Sequence, residues 1–207
     1  MRGGVANMIN TQSFFANSWQ KSVPTDPKKL IAIAGECNTR LSYLYDSLPE
    51  RFTPALDEVM GCLPTLLSQT YPLVLTHSDL NEMNILVNTK TGHITGIVDW
   101  ADATILPFGF TLYALDNALG TMSSRGWQYF RNAEYLRDEF WWRFEQLAKL
   151  SKSDMGTIQL ARKAGVLFRY GIPYNSSFTG MVGVYGAGGD DYCYLDALLA
   201  PSKAGSE

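Results

Sequence analysis

Three polar residues lie at the ends of apolar, strand-like runs in the middle of the chain: Asp79, Asn84 and Asp99. An unpaired carboxylate or amide is costly to bury. Three of them among such runs therefore indicate a site rather than part of a core. Carboxylate and amide oxygens are ligands that Mg²⁺ prefers in proteins, so residues 71–100 predict a site for a hard cation.

A hairpin is predicted to bring two of these residues together. Residues 88–92 are turn formers between two β-branched runs, and such a pattern is typical of a hairpin loop. A hairpin folded about the last two of them places Asn84 opposite Asp99. Directly opposed residues lie roughly 5 Å apart, which is close enough for two oxygens to share one cation. Asp79 lies on the loop that enters the hairpin and can face the same point.

The spacing His77-x-Asp79-x-x-x-x-Asn84, followed by Ile97-Val98-Asp99-Trp100, resembles the catalytic and metal-binding loops of the protein-kinase-like fold. The Trp after the second Asp is similar to the aminoglycoside phosphotransferase and choline kinase branch. The longer strings around these motifs resemble fungal members of that branch, and the dense match covers about residues 70–112.

This resemblance implies an ATP- and Mg²⁺-dependent phosphotransferase that acts on a small-molecule hydroxyl. The expected partner is therefore a small-molecule hydroxyl or amine-bearing substrate. Asp79 would be the catalytic base, and His77 would be a catalytic-loop residue that braces the loop rather than reacting. Asn84 and Asp99 would bind the cofactors as ligands of the Mg²⁺ ions that bridge the ATP phosphates. The residue types agree with this chemistry, because phosphoryl transfer depends mainly on positioning and charge neutralisation.

The resemblance also implies two lobes, and the sequence matches only the large one. A complete enzyme carries a Gly-rich loop and a strand Lys in its small lobe, and neither motif precedes Asp79. We therefore expect residues 1–200 to form a kinase-like large lobe without the small β-lobe, and residues 201–207 to form a disordered tail. We expect kinase activity of this chain alone to be weak or absent.

The alternative is a non-catalytic pseudokinase remnant or a truncated gene product that acts, if at all, as an interaction module. In that case we expect self-association through the apolar face that a small lobe would cover. A metal-dependent hydrolase is a third class, but two histidines in the whole chain give little ligand supply for zinc.

Hydrophobic periodicity predicts a mostly helical α+β chain with one short sheet near the middle. Asp26 and Pro27 form a helix start signal, and Ser153 or Asp154 can cap a later helix. The other predicted elements are loops at 101–107, 122–128 and 171–190, and helices at 108–119, 131–150 and 191–199.

Two positions depart from the family pattern. Ser78 stands where the family usually has Gly, and Ser would be strained if the backbone there needs a positive φ. Phe110 stands where the family commonly has an Asp that holds the catalytic loop in place. Two alternatives remain for Asp116, which lies further along the chain: it takes over that role, or it has no contact with the loop. Asp102 either faces the substrate or is an ordinary surface acid.

Composition narrows the class of protein further. With 207 residues, 46% of them hydrophobic and 18% charged, the chain has the composition of a globular protein with a sizeable core. The net charge of -3 does not indicate a nucleic-acid partner. Three widely spaced cysteines argue against a disulfide framework. The sequence shows no apolar run near ~18 residues and no signal-peptide pattern, so we expect a cytoplasmic protein without a membrane partner.

Overall fold

The computed structural model describes residues 3–24, 26–91, 93–123, 126–173 and 192–199, with the backbone alone for residues 3–10. These parts of the chain form seven α-helices and six short strands. In chain order they are α1 (Gly3–Gln20), α2 (Pro27–Ser47), α3 (Thr53–Leu66), β1 (Leu73–Thr76), β2 (Ile85–Val87), β3 (Ile94–Ile97), β4 (Thr104–Pro107), α4 (Tyr113–Asn117), β5 (Gly120–Ser123), β6 (Gly126–Tyr129), α5 (Ala133–Ala148), α6 (Lys152–Gly171) and α7 (Cys193–Leu199).

The β structure in the described residues consists of three antiparallel pairs, β1 with β4, β2 with β3, and β5 with β6. Helices make up most of the rest, so the prediction of a mostly helical α+β chain is confirmed. The prediction of one short sheet is wrong, because the described strands form three separate pairs. None of the described helices is long and apolar enough to cross a membrane. Most of the predicted loop 171–190 and all of the predicted tail 201–207 lie outside the described residues.

Local signals predicted helix starts with mixed success. The Asp26 side chain accepts a hydrogen bond from the backbone N–H of Lys28, and Pro27 is the first residue of α2, as predicted. The cap of α6 was placed wrongly. Ser151 is the N-cap, and it forms a capping box in which its hydroxyl and the Asp154 carboxylate each accept from the other's backbone N–H. Asp154 is therefore a partner of the cap rather than the cap.

Two predicted loops contain strands, and one predicted helix is short. The loop predicted at 101–107 contains β4, whose four residues pair with β1. The loop predicted at 122–128 lies within the β5–β6 hairpin. The helix predicted at 108–119 is reduced to α4, because residues 108–112 form turns. A β4 strand is stabilised by a partner about thirty residues away in sequence, and no local pattern reports such pairing.

Aromatic rings form the part of the core that connects β4 to the helices. Phe108 follows directly after β4 and stacks on Phe144 of α5, with ring centroids 5.7 Å apart. Phe15 of α1 contacts Phe108 edge-on at 6.4 Å and Phe140 of α5 at 6.1 Å. Aromatic pairs in such arrangements add stabilisation beyond the area they bury. The end of the β1–β4 pair is therefore fixed against α1 and α5.

The backbone of helix α6 packs directly against the backbone of the segment that precedes α4. A Cβ atom added at Gly165 would lie 1.9 Å from the carbonyl oxygen of Phe110, well inside van der Waals contact. Only glycine fits at this point, because the Phe110 backbone takes the place of a side chain. This close contact sets how near α6 lies to α4.

We expect Gly165→Ala to lower the free energy of unfolding by about 2 kcal/mol or more, because a buried backbone must move to admit the methyl group. Gly156→Ala is a matched control on the same helix, since a Cβ there meets nothing within 4 Å. That control should raise stability by up to about 1 kcal/mol through helix propensity. Urea denaturation measures both changes, and equal effects of the two substitutions would contradict the packing argument.

Candidate functional site

The loop of residues 77–84 joins β1 to β2, and the segment 97–100 follows β3. The two segments meet through the backbone, since the N–H of Val98 donates to the carbonyl of Asn84 at 3.0 Å. Both predicted ligand positions therefore lie at the open end of the β2–β3 hairpin, with Asp99 next in sequence to the residue that pairs with Asn84.

The hairpin register differs by one residue from the prediction. Ile85 pairs with Ile97 and Leu86 with Gly96, and a bulge then brings Val87 opposite Ile94. Asn84 is consequently opposite Val98, and the predicted pairing of Asn84 with Asp99 is wrong. A hairpin folded about residues 91 and 92 would pair Val87 with Gly96, so its pairing with Ile94 places the turn centre one residue earlier than predicted. The bulge adds a residue to one strand and thereby reduces the difference from two residues at Val87 to one at Asn84.

His77 is buried and joins the two segments. Its Nδ1 accepts a hydrogen bond from the backbone N–H of Asp79 at 3.2 Å, and its Nε2 lies 2.8 Å from the carbonyl oxygen of Val98. Because Nδ1 accepts, Nε2 carries the proton and donates to Val98. The ring also contacts Trp100 edge-on at 4.9 Å. These contacts agree with the predicted bracing role.

Asp79 lies on the loop with its side chain 37% exposed. Its Oδ1 accepts from Nη2 of Arg169 in α6 at 2.5 Å and from Nδ2 of Asn81 at 3.0 Å. In the described residues, the hydrogen bonds of this carboxylate converge on Oδ1. Its Oδ2 therefore remains available to an incoming group.

Asn84 is buried, and its amide is oriented by a contact within the loop. Its Nδ2 donates to the backbone carbonyl of Asp79 at 2.9 Å, which assigns the other end of the amide as the oxygen. Asn84 Oδ1 is thus the end that can serve a cation. The same hydrogen bond ties the position of Asn84 to that of Asp79.

Asp99 has φ 61°, in the left-handed region. Among described non-glycine residues only Lys149 shares such a φ. Lys149 has an ordinary reason for it, since it is the C-cap of α5. Asp99 caps no helix. Backbone strain of this sort clusters at ligand and switch sites.

Ser78, which stands where the family usually has Gly, has no backbone strain from a positive φ. Its φ is not positive, because the described non-glycine residues with positive φ are Asp99 and Lys149. Its buried hydroxyl donates to the backbone carbonyl of Asp102 at 2.6 Å. Ser78 therefore adds a second link between the loop and the segment after Asp99.

Asp116 does not hold the loop. It is buried against two arginines, with Nη2 of Arg162 2.6 Å from Oδ2 and Nη2 of Arg137 3.9 Å from Oδ1. Burial raises the pKa of Asp116 above its usual value, and the Arg162 cation opposes that rise. Asp116 therefore links α4 to α5 and α6.

Tyr113, the first residue of α4, holds the loop instead. Its hydroxyl accepts from the backbone N–H of Leu80 at 3.2 Å and donates to the carbonyl of Ser78 at 3.3 Å. These two groups flank Asp79. Burial raises the pKa of Tyr113 to about 12, and the nearby Arg169 cation opposes that rise. The hydroxyl therefore keeps its proton at neutral pH and can make both bonds.

Sequence analysis missed both Tyr113 and Arg169. No local pattern marks Tyr113, because its partners lie more than thirty residues away. Arg169 did leave a signal. It lies between Phe168 and Tyr170 in a run whose other members from Val166 to Gly171 are buried. A largely buried cation in such a run requires a partner, and the half-buried Asp79 carboxylate is one.

The donor set fits Mg²⁺ better than a metal held by protein alone. In the described residues no group of three or more His, Cys, Asp or Glu side chains comes together to hold a metal. Mg²⁺ is usually bound by one or two carboxylates together with water and substrate phosphates. An amide and one carboxylate at the end of a hairpin match that need, provided that a phosphate donor supplies further oxygens.

A scan against protein-family models matches residues 24–143 to the phosphotransferase enzyme family (APH). The matched region includes the 77–84 loop, the hairpin and α4. The chain therefore belongs to the phosphotransferase enzyme family, as the resemblance of its motifs predicted. No curated protein matches the chain.

We expect Tyr113→Phe to leave the Leu80 N–H and the Ser78 carbonyl buried without their partner, which costs about 1–3 kcal/mol. Amide exchange of Leu80, followed by NMR, should accelerate at least about tenfold, or about 1.4 kcal/mol. Tyr71→Phe is the control, because it removes a buried hydroxyl that donates to Phe108 O, outside the loop. Unchanged Leu80 exchange in Tyr113→Phe would show that the loop has another anchor.

Proposed function

We propose that this chain carries the catalytic and metal-binding half of an ATP- and Mg²⁺-dependent phosphotransferase site for a small-molecule hydroxyl. Membership of the phosphotransferase family supports the reaction class. The observation that carries the assignment of residues is the left-handed backbone of Asp99 at the end of the hairpin. Asp adopts that conformation more readily than most residues with a Cβ but less readily than glycine, and a metal-ligand role explains why the fold keeps a carboxylate there.

The roles follow from the contacts. Asp79 accepts the proton of the acceptor hydroxyl at Oδ2, the oxygen that its neighbours leave open. Asn84 and Asp99 would hold Mg²⁺, and the Asn84 amide is already oriented by its hydrogen bond to the backbone carbonyl of Asp79. His77 keeps the two segments in register. When bound, Mg²⁺ neutralises phosphate charge and aligns the phosphates.

The outer face of the hairpin is a surface for the nucleotide base. Successive strand residues point to opposite faces, so Leu86 lies on the face of β2 opposite to its less exposed neighbours Ile85 and Val87. Leu86 is 49% exposed and Val98 is 40% exposed. We call Leu86, Val98 and the partly exposed Trp100 the hairpin face. Because no described residue covers this face, bound nucleotide stays open to water, and we propose that affinity and activity of this chain alone are low.

The metal assignment predicts opposite effects on stability and binding. We expect Asp99→Gly to keep the free energy of unfolding or raise it by up to about 1 kcal/mol, because glycine tolerates positive φ. Binding of Mn²⁺·ADP should nevertheless fall at least about tenfold, since a ligand is lost. Paramagnetic broadening of the Trp100 indole N–H resonance in NMR spectra measures this binding even when it is weak.

Lys149→Gly is the matched control for that substitution. It relieves the other positive φ, at the C-terminus of α5, and should leave Mn²⁺·ADP binding unchanged. Equal broadening of the Trp100 resonance in the wild type and in Asp99→Gly would show that Asp99 is not a metal ligand. Micromolar affinity of the wild-type chain for Mg·ATP, measured by calorimetry, would contradict the proposed weakness of the open site.

The hairpin face also supports a second candidate function, an interaction module that pairs with a second copy of the chain. Exposed apolar groups on one small surface favour association. We expect light scattering during gel filtration to show dimers that increase with concentration, and Leu86→Glu to abolish them. Leu147→Glu, at a similarly exposed position on α5, should have no effect. A monomer at all concentrations would exclude this candidate.

A further inference from the structure

The carboxylate assigned as the base is held by a residue from a distant helix. Nη2 of Arg169, ninety positions after Asp79, donates to Oδ1 at 2.5 Å. The arginine side chain is only 12% exposed. A charge-assisted hydrogen bond from a largely buried guanidinium to a carboxylate is a strong and directional contact.

The same guanidinium also lies beside the tyrosine that holds the loop. Its central carbon is 5.9 Å from the centre of the Tyr113 ring, within the range of a cation–π contact. Tyr113 fixes the backbone on both sides of Asp79, while Arg169 contacts the Asp79 side chain. The α4 and α6 helices thus restrain the Asp79 backbone and the Asp79 carboxylate separately.

We propose that Arg169 is a positioning residue for phosphoryl transfer. By binding Oδ1 together with Asn81, it fixes the Asp79 side chain in one rotamer and turns Oδ2 toward the acceptor hydroxyl. This inference rests on the function proposed above, because it needs Asp79 to be the base. Its specific content is that α6 sets the direction in which the base acts.

Orientation matters more than base strength in this reaction. Phosphoryl transfer has a loose transition state in most analyses, with little covalent work for the protein. Displacement of a reacting group by 1 Å can cost about 100-fold in rate. A cation that fixes the direction of Oδ2 therefore benefits the reaction although it occupies the other oxygen.

The test compares Arg169→Gln with Arg169→Lys in the full 207-residue chain, with Mg·ATP hydrolysis as the assay and water as the acceptor. We expect Arg169→Gln to lower kcat by about 10- to 100-fold without changing KM for Mg·ATP. Arg169→Lys should recover part of the loss, because it returns a cation. Arg143→Gln, which removes an arginine paired with Glu139 on α5, should keep wild-type kcat.

A second measurement does not depend on activity. Three-bond couplings from the Asp79 carboxyl carbon to its backbone nitrogen and carbonyl carbon report the χ1 rotamer by NMR. We expect one rotamer in the wild type, averaging in Arg169→Gln, and one rotamer again in Arg169→Lys. One rotamer in Arg169→Gln would overturn the inference.

The two measurements separate this inference from the proposed function. The proposed function fails if Asp99→Gly leaves Mn²⁺·ADP broadening unchanged, whereas the rotamer measurement decides whether Arg169 orients Asp79 even where wild-type hydrolysis is too slow to measure. If the wild type is active but Arg169→Gln raises KM and keeps kcat, the positioning role is wrong. The role is also wrong if kcat falls only in proportion to the unfolded fraction measured by circular dichroism.

Discussion

The structure depends on one constraint: the polar backbone of the 77–84 loop must find partners inside the protein, because much of that loop is buried. Buried N–H and C=O groups without partners destabilise a fold. The Tyr113 hydroxyl satisfies the Leu80 N–H and also donates to the Ser78 carbonyl, and the His77 ring accepts from the N–H of Asp79. Each of these contacts also limits where Asp79 can lie. The same contacts therefore satisfy the buried backbone groups and limit the position of the Asp79 carboxylate.

The part of the site that is local in sequence could be predicted. The spacing of Asp79 and Asn84 and the turn formers after β2 indicated a loop and a hairpin, and both are present. The predicted register was wrong because the turn is centred one residue earlier than the turn formers suggested, so that Val87 pairs with Ile94. The bulge between Leu86 and Val87 then leaves an offset of one residue at the Asn84 end of the hairpin. Strand β4 was missed for a related reason, since its partner β1 lies far away in sequence. Tyr113 and Arg169 show the same limit, because their roles exist only when α4 and α6 are in place.

Family membership and geometry support different parts of the functional argument. The family match gives the reaction class for residues 24–143, a region that ends before α6. The contacts of Asp79 add a residue that lies outside that region, since Arg169 belongs to α6. The family match therefore covers the 77–84 loop and the end of the hairpin that carries Asn84 and Asp99. The support for the carboxylate comes partly from a segment that this pattern does not include.

The glycine where α6 meets the Phe110 backbone has a consequence for the site itself. Gly165 and Arg169 are four residues apart, so they lie on the same face of α6. The close approach at Gly165 therefore also sets how far the arginine side chain must reach to contact Asp79. Because Gly165 has no side chain, α6 packs close enough for Arg169, one helical turn away, to form its ion pair with Asp79. Tight packing of α6 and the direction of the Asp79 carboxylate thus depend on the same glycine.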